Sequence, residues 1–293
     1  MRYRVTHTTS YEYTDQVGAS YNEACLLPRT CPQQTLLAAR LEISPAESDF
    51  RVREDFFGNQ VAYFSIHQPH HEFSITSISE VQVYPAATQL NFSQGMAWET
   101  VREILQENMS PQNLEARQYV LDSPLIKASQ ELSSYAQDSF YLGRPLLEAV
   151  YDLMQRIFHD FTFDPEFTTL STPLSEVLEH RRGVCQDFAH LAIGCLRSQG
   201  LAARYVSGYI ETLPPPGEEK LVGADASHAW FAVFIPEQGW MDFDPTNNQV
   251  PNDQHITVAW GRDYSDVTPL KGVIFGGKDH ELNVSVDVER LGE

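Results

Sequence analysis

The chain has 293 residues, 42 % of them hydrophobic and 20 % charged, with a formal net charge of −20. That length fits about two domains and buries most of its surface, which argues against a disordered body. The acidic balance argues against a nucleic-acid partner, which needs a basic face, and against docking on an anionic membrane. No run of about 18 apolar residues suggests a membrane span. The opening Met1–His7 lacks the apolar core of a signal peptide, so the cytoplasm is the expected compartment. Cys25, Cys31, Cys185 and Cys195 form no C-x-x-C pair, so reduced thiols are expected.

Residues 1–94 read as β-rich. Arg2–Tyr13 alternates apolar and polar positions, and Leu36–Ile43 is a second strand. Arg51–Phe57 and Gln60–Ile66 flank Gly58-Asn59 as a hairpin. Glu72–Ile78 and Glu80–Tyr84 supply two more strands, closed by Pro85. Near residue 95 the period changes. Ala97–Gln106, Lys127–Gln137 and Pro145–Phe158 read as helices, the last with Leu146, Val150, Leu153 and Ile157 on one face. Thr172-Pro173 should start a short helix, with Thr172 as its cap. Val184–Ser198 is a longer helix ended by Gly200. Strands follow at about 203–212, 227–235 and 239–244, with a loop at 213–226 around Pro214-Pro215-Pro216-Gly217. Val284–Val288 alternates again. The expected division is a β-rich N-terminal domain, 1–94, and a catalytic domain, 95–293, with a helical lead-in and C-terminal strands.

On the helix at 184–198, a 100° step per residue puts Phe188, Leu191, Ala192 and Cys195 on one stripe. Cys195 thus reads as an inert buried thiol. Cys185 lies at the stripe's edge in the first turn, where free N–H groups and the helix dipole favour a thiolate. It is a candidate nucleophile, and equally a small residue filling a helix start. His228 opens an apolar strand, a rigid mount for a base and also an ordinary place for a core histidine. Asp244 ends the next strand before Pro245. It reads either as a turn residue or as a carboxylate orienting the imidazole, with Asp242 as its competitor. His190 lies about 140° around the helix from Cys185 and is poorly placed as its base. The cluster His67-Gln68-Pro69-His70-His71 reads as a loop, without a completed metal set. No cofactor is expected.

Three stretches carry a resemblance. Arg182-Gly183-Val184-Cys185-Gln186-Asp187-Phe188 looks like the nucleophile helix of the transglutaminase-like superfamily. Ser227-His228-Ala229-Trp230 and Gly239-Trp240-Met241-Asp242-Phe243-Asp244-Pro245-Thr246 resemble its second and third motifs. His255-Ile256-Thr257-Val258-Ala259-Trp260-Gly261-Arg262-Asp263-Tyr264 is similar to the tail of its bacterial branch. The N-terminal strands, with Tyr11-Glu12-Tyr13 and Asp55-Phe56-Phe57-Gly58-Asn59, resemble the bacterial N-terminal domain. The resemblance implies an α+β fold: a sandwich-like β domain, then a papain-like domain whose nucleophile helix packs on an antiparallel sheet. It carries the nucleophile to Cys185, the base to His228 and the orienting acid to Asp244.

The chain lacks the tryptophan that animal transglutaminases place before the nucleophile to help hold the oxyanion. Its own tryptophans are Trp98, Trp230, Trp240 and Trp260. The backbone N–H of Cys185 is one oxyanion donor, with a second sought near Phe161–Asp164. The favoured function is a cysteine peptidase or amidase acting on a peptide or protein substrate. Transglutamination, and a non-catalytic binding protein on the same fold, are the alternatives.

Overall fold

The computed structural model describes residues 1–85, 91–169, 172–212 and 227–292. The expected loop at 213–226 lies outside the described residues. The N-terminal part of the chain is built of strands: β1 (Arg2–Ala24), β2 (Gln34–Ser44), β3 (Asp49–Glu54), β4 (Gln60–Ile66) and β5 (His70–Val83). The β3–β4 hairpin forms as its sequence demands. Asp55 accepts the N–H groups of Phe57 and Asn59, each at 2.8 Å, and Gly58 takes φ +73°.

The two strands expected at 72–84 are one. Ser77 and Ser79 hold inward positions between Ile75 and Val81, and both are buried. Ser77 Oγ donates to Leu26 O at 3.0 Å, which satisfies a polar group inside the alternation.

Helices follow: α1 (Trp98–Glu107), α2 (Pro111–Arg117), α3 (Gln130–Gln137) and α4 (Leu146–Asp160). The α2 turn had no clear apolar period, but Ser110 caps it by accepting the Asn113 N–H. After β6 (Thr162–Phe163) come α5 (Leu174–His180), β7 (Arg182–Gly183) and α6 (Cys185–Ser198). Thr172 does not cap α5: its hydroxyl accepts the Thr169 N–H at 2.9 Å. The remaining strands are β8 (Ala203–Ile210), β9 (Ser227–Ile235), β10 (Gly239–Phe243), β11 (His255–Gly261), β12 (Leu270–Gly276) and β13 (His280–Leu291).

Among the described residues the strands make a large N-terminal sheet, a smaller sheet ordered β10-β9-β8-β11 and a two-stranded β6-β7 pair. β1 is irregular between Glu12 and Val17. Its first half runs between β5 and β13, and its second half between β4 and β12. The last two strands, grouped by sequence with the second domain, therefore hydrogen-bond to the first. Helix α6 packs on β8 and β9 and meets α3, α4 and α5 on its other sides. It is accordingly buried from Asp187 to Arg197, all round rather than along one stripe. β9 is buried on both faces, as its continuous apolar run requires.

Candidate active site

The site begins where β7 turns into α6. β7 pairs with β6 in parallel, Phe163 opposite Gly183. Asp187, the third residue of the helix, reaches back to accept the Val184 N–H at 2.8 Å and the Thr168 hydroxyl at 2.8 Å. Burial raises its pKa, while these two donors oppose the rise. A Cβ on Gly183 would stand 2.8 Å from the Asp187 carboxylate, so only glycine admits this cap. The first helical bond runs from Phe188 N–H to Val184 O, which leaves the N–H groups of Cys185–Asp187 ahead of the helical ladder. Cys185 is thus a half-buried free thiol at a helix N-terminus. Cys25 and Cys195 are buried deeper, and burial pushes both thiols up to about 12.

His228 enters the sheet on β9. Its Nε2 lies 2.8 Å from Asp244 Oδ2, and the Cys185 side chain acts on the ring electrostatically. With Nε2 on the carboxylate, Nδ1 is the nitrogen left for sulfur. Burial works against a charged ring here, but Asp244 and Cys185 outweigh it and push the pKa up to about 10. Asp244 is fully buried. Burial alone would raise its pKa, yet the bonds from His228, His255 and Asn247 hold it well below the usual carboxylate range. Its Oδ1 accepts the backbone N–H groups of Thr246 and Asn247, at 3.0 and 3.2 Å. Its Oδ2 also takes Asn247 Nδ2 at 2.8 Å and His255 Nε2 at 3.1 Å.

The structure thus brings Cys185, His228 and Asp244 together. Asp242 is directed elsewhere: it accepts the Trp230 indole N–H at 3.2 Å and faces Arg204. His190 accepts the Tyr264 N–H at 3.1 Å, and burial lowers it to about 4, so it is a neutral core residue. The backbone donors sought near Phe161–Asp164 are mostly engaged. Phe161, Thr162 and Asp164 give their N–H groups to Ile157, Arg181 and Gly183.

Asn247 and His255 are the neighbours that sequence reasoning did not single out. Among the described residues, the ligand atoms of His228, Asp244 and His255 gather within 4.8 Å, close enough for a metal ion. Their hydrogen bonding argues otherwise. The Asn252 N–H points at His255 Nδ1, 3.4 Å away, which makes Nδ1 an acceptor and puts the ring proton on Nε2. That proton is donated to Asp244, so a metal ion here would have to displace it from the nitrogen facing the cluster.

Residues 3–82 match the bacterial transglutaminase-like N-terminal region, and residues 134–245 match the transglutaminase-like superfamily. An uncharacterized protein of Mycobacterium tuberculosis is 44 % identical over 295 residues, covering 98 % of this chain and 92 % of its own length. The protein-glutamine gamma-glutamyltransferase of Pseudomonas aeruginosa is 35 % identical over 133 residues, 43 % of this chain and 20 % of that protein. The crystal structure of a candidate cysteine protease of Cytophaga hutchinsonii superposes with a TM-score of 0.76 at 20 % identity, over 100 % of this chain and 91 % of that one. That likeness is one of fold. With both of its regions matched in order and nearly its whole length shared with the mycobacterial relative, the chain belongs to the transglutaminase-like superfamily, with the bacterial N-terminal region preceding its core.

Proposed function

We propose that the chain is a cysteine-nucleophile enzyme that hydrolyses peptide or side-chain amide bonds through a thioester. The observation that carries this reading is the Asp244–His228 hydrogen bond, with the half-buried Cys185 at the start of α6 acting on the same ring. In the proposed cycle the Cys185 thiolate, paired with the His228 imidazolium, adds to the amide carbonyl. The Cys185 backbone N–H, at the positive end of α6, stabilises the oxyanion. As the C–N bond breaks, His228 gives its proton to the leaving amine. It then takes a proton from water, which attacks the thioester and releases the acid and the Cys185 thiolate. Asp244 orients the ring and balances its charge throughout.

A second reading has a specific observation behind it: the Pseudomonas aeruginosa relative is a protein-glutamine gamma-glutamyltransferase. In that case an amine replaces water in the last step. Both readings share the first half of the cycle, so one experiment tests them together. A peptide-amide electrophile should label Cys185, found by mass mapping, and Cys185→Ala should abolish labelling and turnover. Labelling of Cys25, Cys31 or Cys195 instead would overturn the assignment. Adding a fluorescent primary alkylamine separates the two outcomes: incorporation into the acyl product means transfer, and free acid alone means hydrolysis.

A further inference from the structure

The proposed relay leaves one buried titratable group beside it without a task. His255 opens β11, at the edge of the smaller sheet farthest from β10, yet its Nε2 reaches the Asp244 oxygen that also holds His228. Trp230 fills the ground between. The His255 ring meets the indole edge-on, with centroids 5.2 Å apart. The indole in turn lies over β8 where Gly208 has no side chain: a Cβ there would stand 2.4 Å from the ring. His255 lines a cavity of about 440 Å³ together with Trp230, Trp240 and Asp242. The Asn252 N–H fixes the tautomer of His255, so the ring can only donate to Asp244. Its bond and that of Asn247 hold Oδ2, while backbone N–H groups hold Oδ1. Fixed at both oxygens, the carboxylate cannot turn about its Cβ–Cγ bond.

We infer that His255 is a positioning residue of the thiol centre, whose Nε2–H fixes the plane of the Asp244 carboxylate and thereby aims the His228 ring at Cys185. The inference rests on the reading of His228 as the base. The charged and titratable groups facing His255 are Asp244, Asp242 on β10 and His228 on β9, whose ring centroid is 6.2 Å away.

The test is the rate of Cys185 alkylation by iodoacetamide against pH, in the full chain and in His255→Phe, His255→Gln and His228→Ala. Phenylalanine keeps an aromatic ring against Trp230 and removes the donor, whereas glutamine offers an N–H. In His255→Phe the pH at which alkylation reaches half its plateau should rise by about one unit, because a loosened His228 pairs less well with the thiolate. His255→Gln should stay close to the unsubstituted chain. If neither variant moves this midpoint, or if both move it alike, the inference fails, whatever happens to their melting temperatures. A shifted His228→Ala profile beside an unshifted His255→Phe profile sinks this inference alone. An unshifted His228→Ala profile sinks the base assignment itself. Should His255→Phe not fold, nitrogen-15 NMR of the unsubstituted chain decides. The inference requires His255 to carry its proton on Nε2. A His255 ring with no proton on Nε2 would contradict it.

Discussion

His7 in the N-terminal sheet and His228 in the smaller sheet are both buried, with 2 % and 8 % of their surface exposed. Their pKa values move in opposite directions. His7 meets the Tyr209 hydroxyl at 2.8 Å and the Thr9 hydroxyl at 3.1 Å, both neutral, and burial lowers its pKa to about 4. His228 meets a carboxylate and a thiol, and is pushed up to about 10. Burial by itself therefore makes a histidine neutral and structural in this fold. A buried carboxylate with every lone pair occupied makes it a held cation, and only the second state can pair with a thiolate.

The sharpest way to break this contrast is Asp244→Asn. It keeps the shape of the side chain but removes the charge and favours the wrong tautomer of His228. Amide turnover should fall by about 10⁴-fold, by analogy with the same substitution in serine proteases. Asp242→Asn should leave turnover within a few-fold, since that carboxylate serves Trp230 and Arg204. Similar losses from the two variants would show that the wrong acid has been chosen.

A smaller effect lies in stability against pH. The folded-state pKa of His228 is raised, so its contribution is complete below the ordinary value of 6.5 and is lost as pH climbs to about 10. The pKa of Asp244 is depressed, so its contribution is present above the ordinary 3.8 and is lost in acid. Unfolding free energy measured by denaturant should therefore decline between about pH 6.5 and 10, and Asp244→Asn should flatten that slope. An equal slope in both proteins would mean that the pair is not what titrates.

The smallest effect is expected at the neutral histidine. His7→Gln should cost about 1–3 kcal/mol of stability by disturbing its hydrogen bonds to Tyr209 and Thr9. It should leave the pH profile of Cys185 alkylation unmoved. A shifted profile would mean that the N-terminal sheet reaches into the thiol chemistry.

The parts of this arrangement that were legible in the sequence are the ones local signals write. Gly183-Val184-Cys185 starts a helix, the apolar run after Ser227 makes a central strand, and Pro245 stops the strand that delivers Asp244. Pairing over long separations was not legible. The β13 strand alternates as a strand should, but nothing in its period says that its partner is β1 at the other end of the chain. His255 was passed over for the same reason. Its bond to Asp244 joins opposite edges of a sheet, and its clearance depends on the bare backbone at Gly208. The helix stripe misjudged α6 because periodicity reports one packed face, whereas here helices close over the others.

The central claim, that His228 is held as a cation between Asp244 and Cys185, is tested most directly by following its ring nitrogens by NMR from about pH 5 to 10. The account predicts an imidazolium, protonated at both nitrogens, that persists well above pH 8 and disappears in Asp244→Asn. A His228 that loses its proton near its ordinary value of 6.5, or below it as His7 does, would contradict the account.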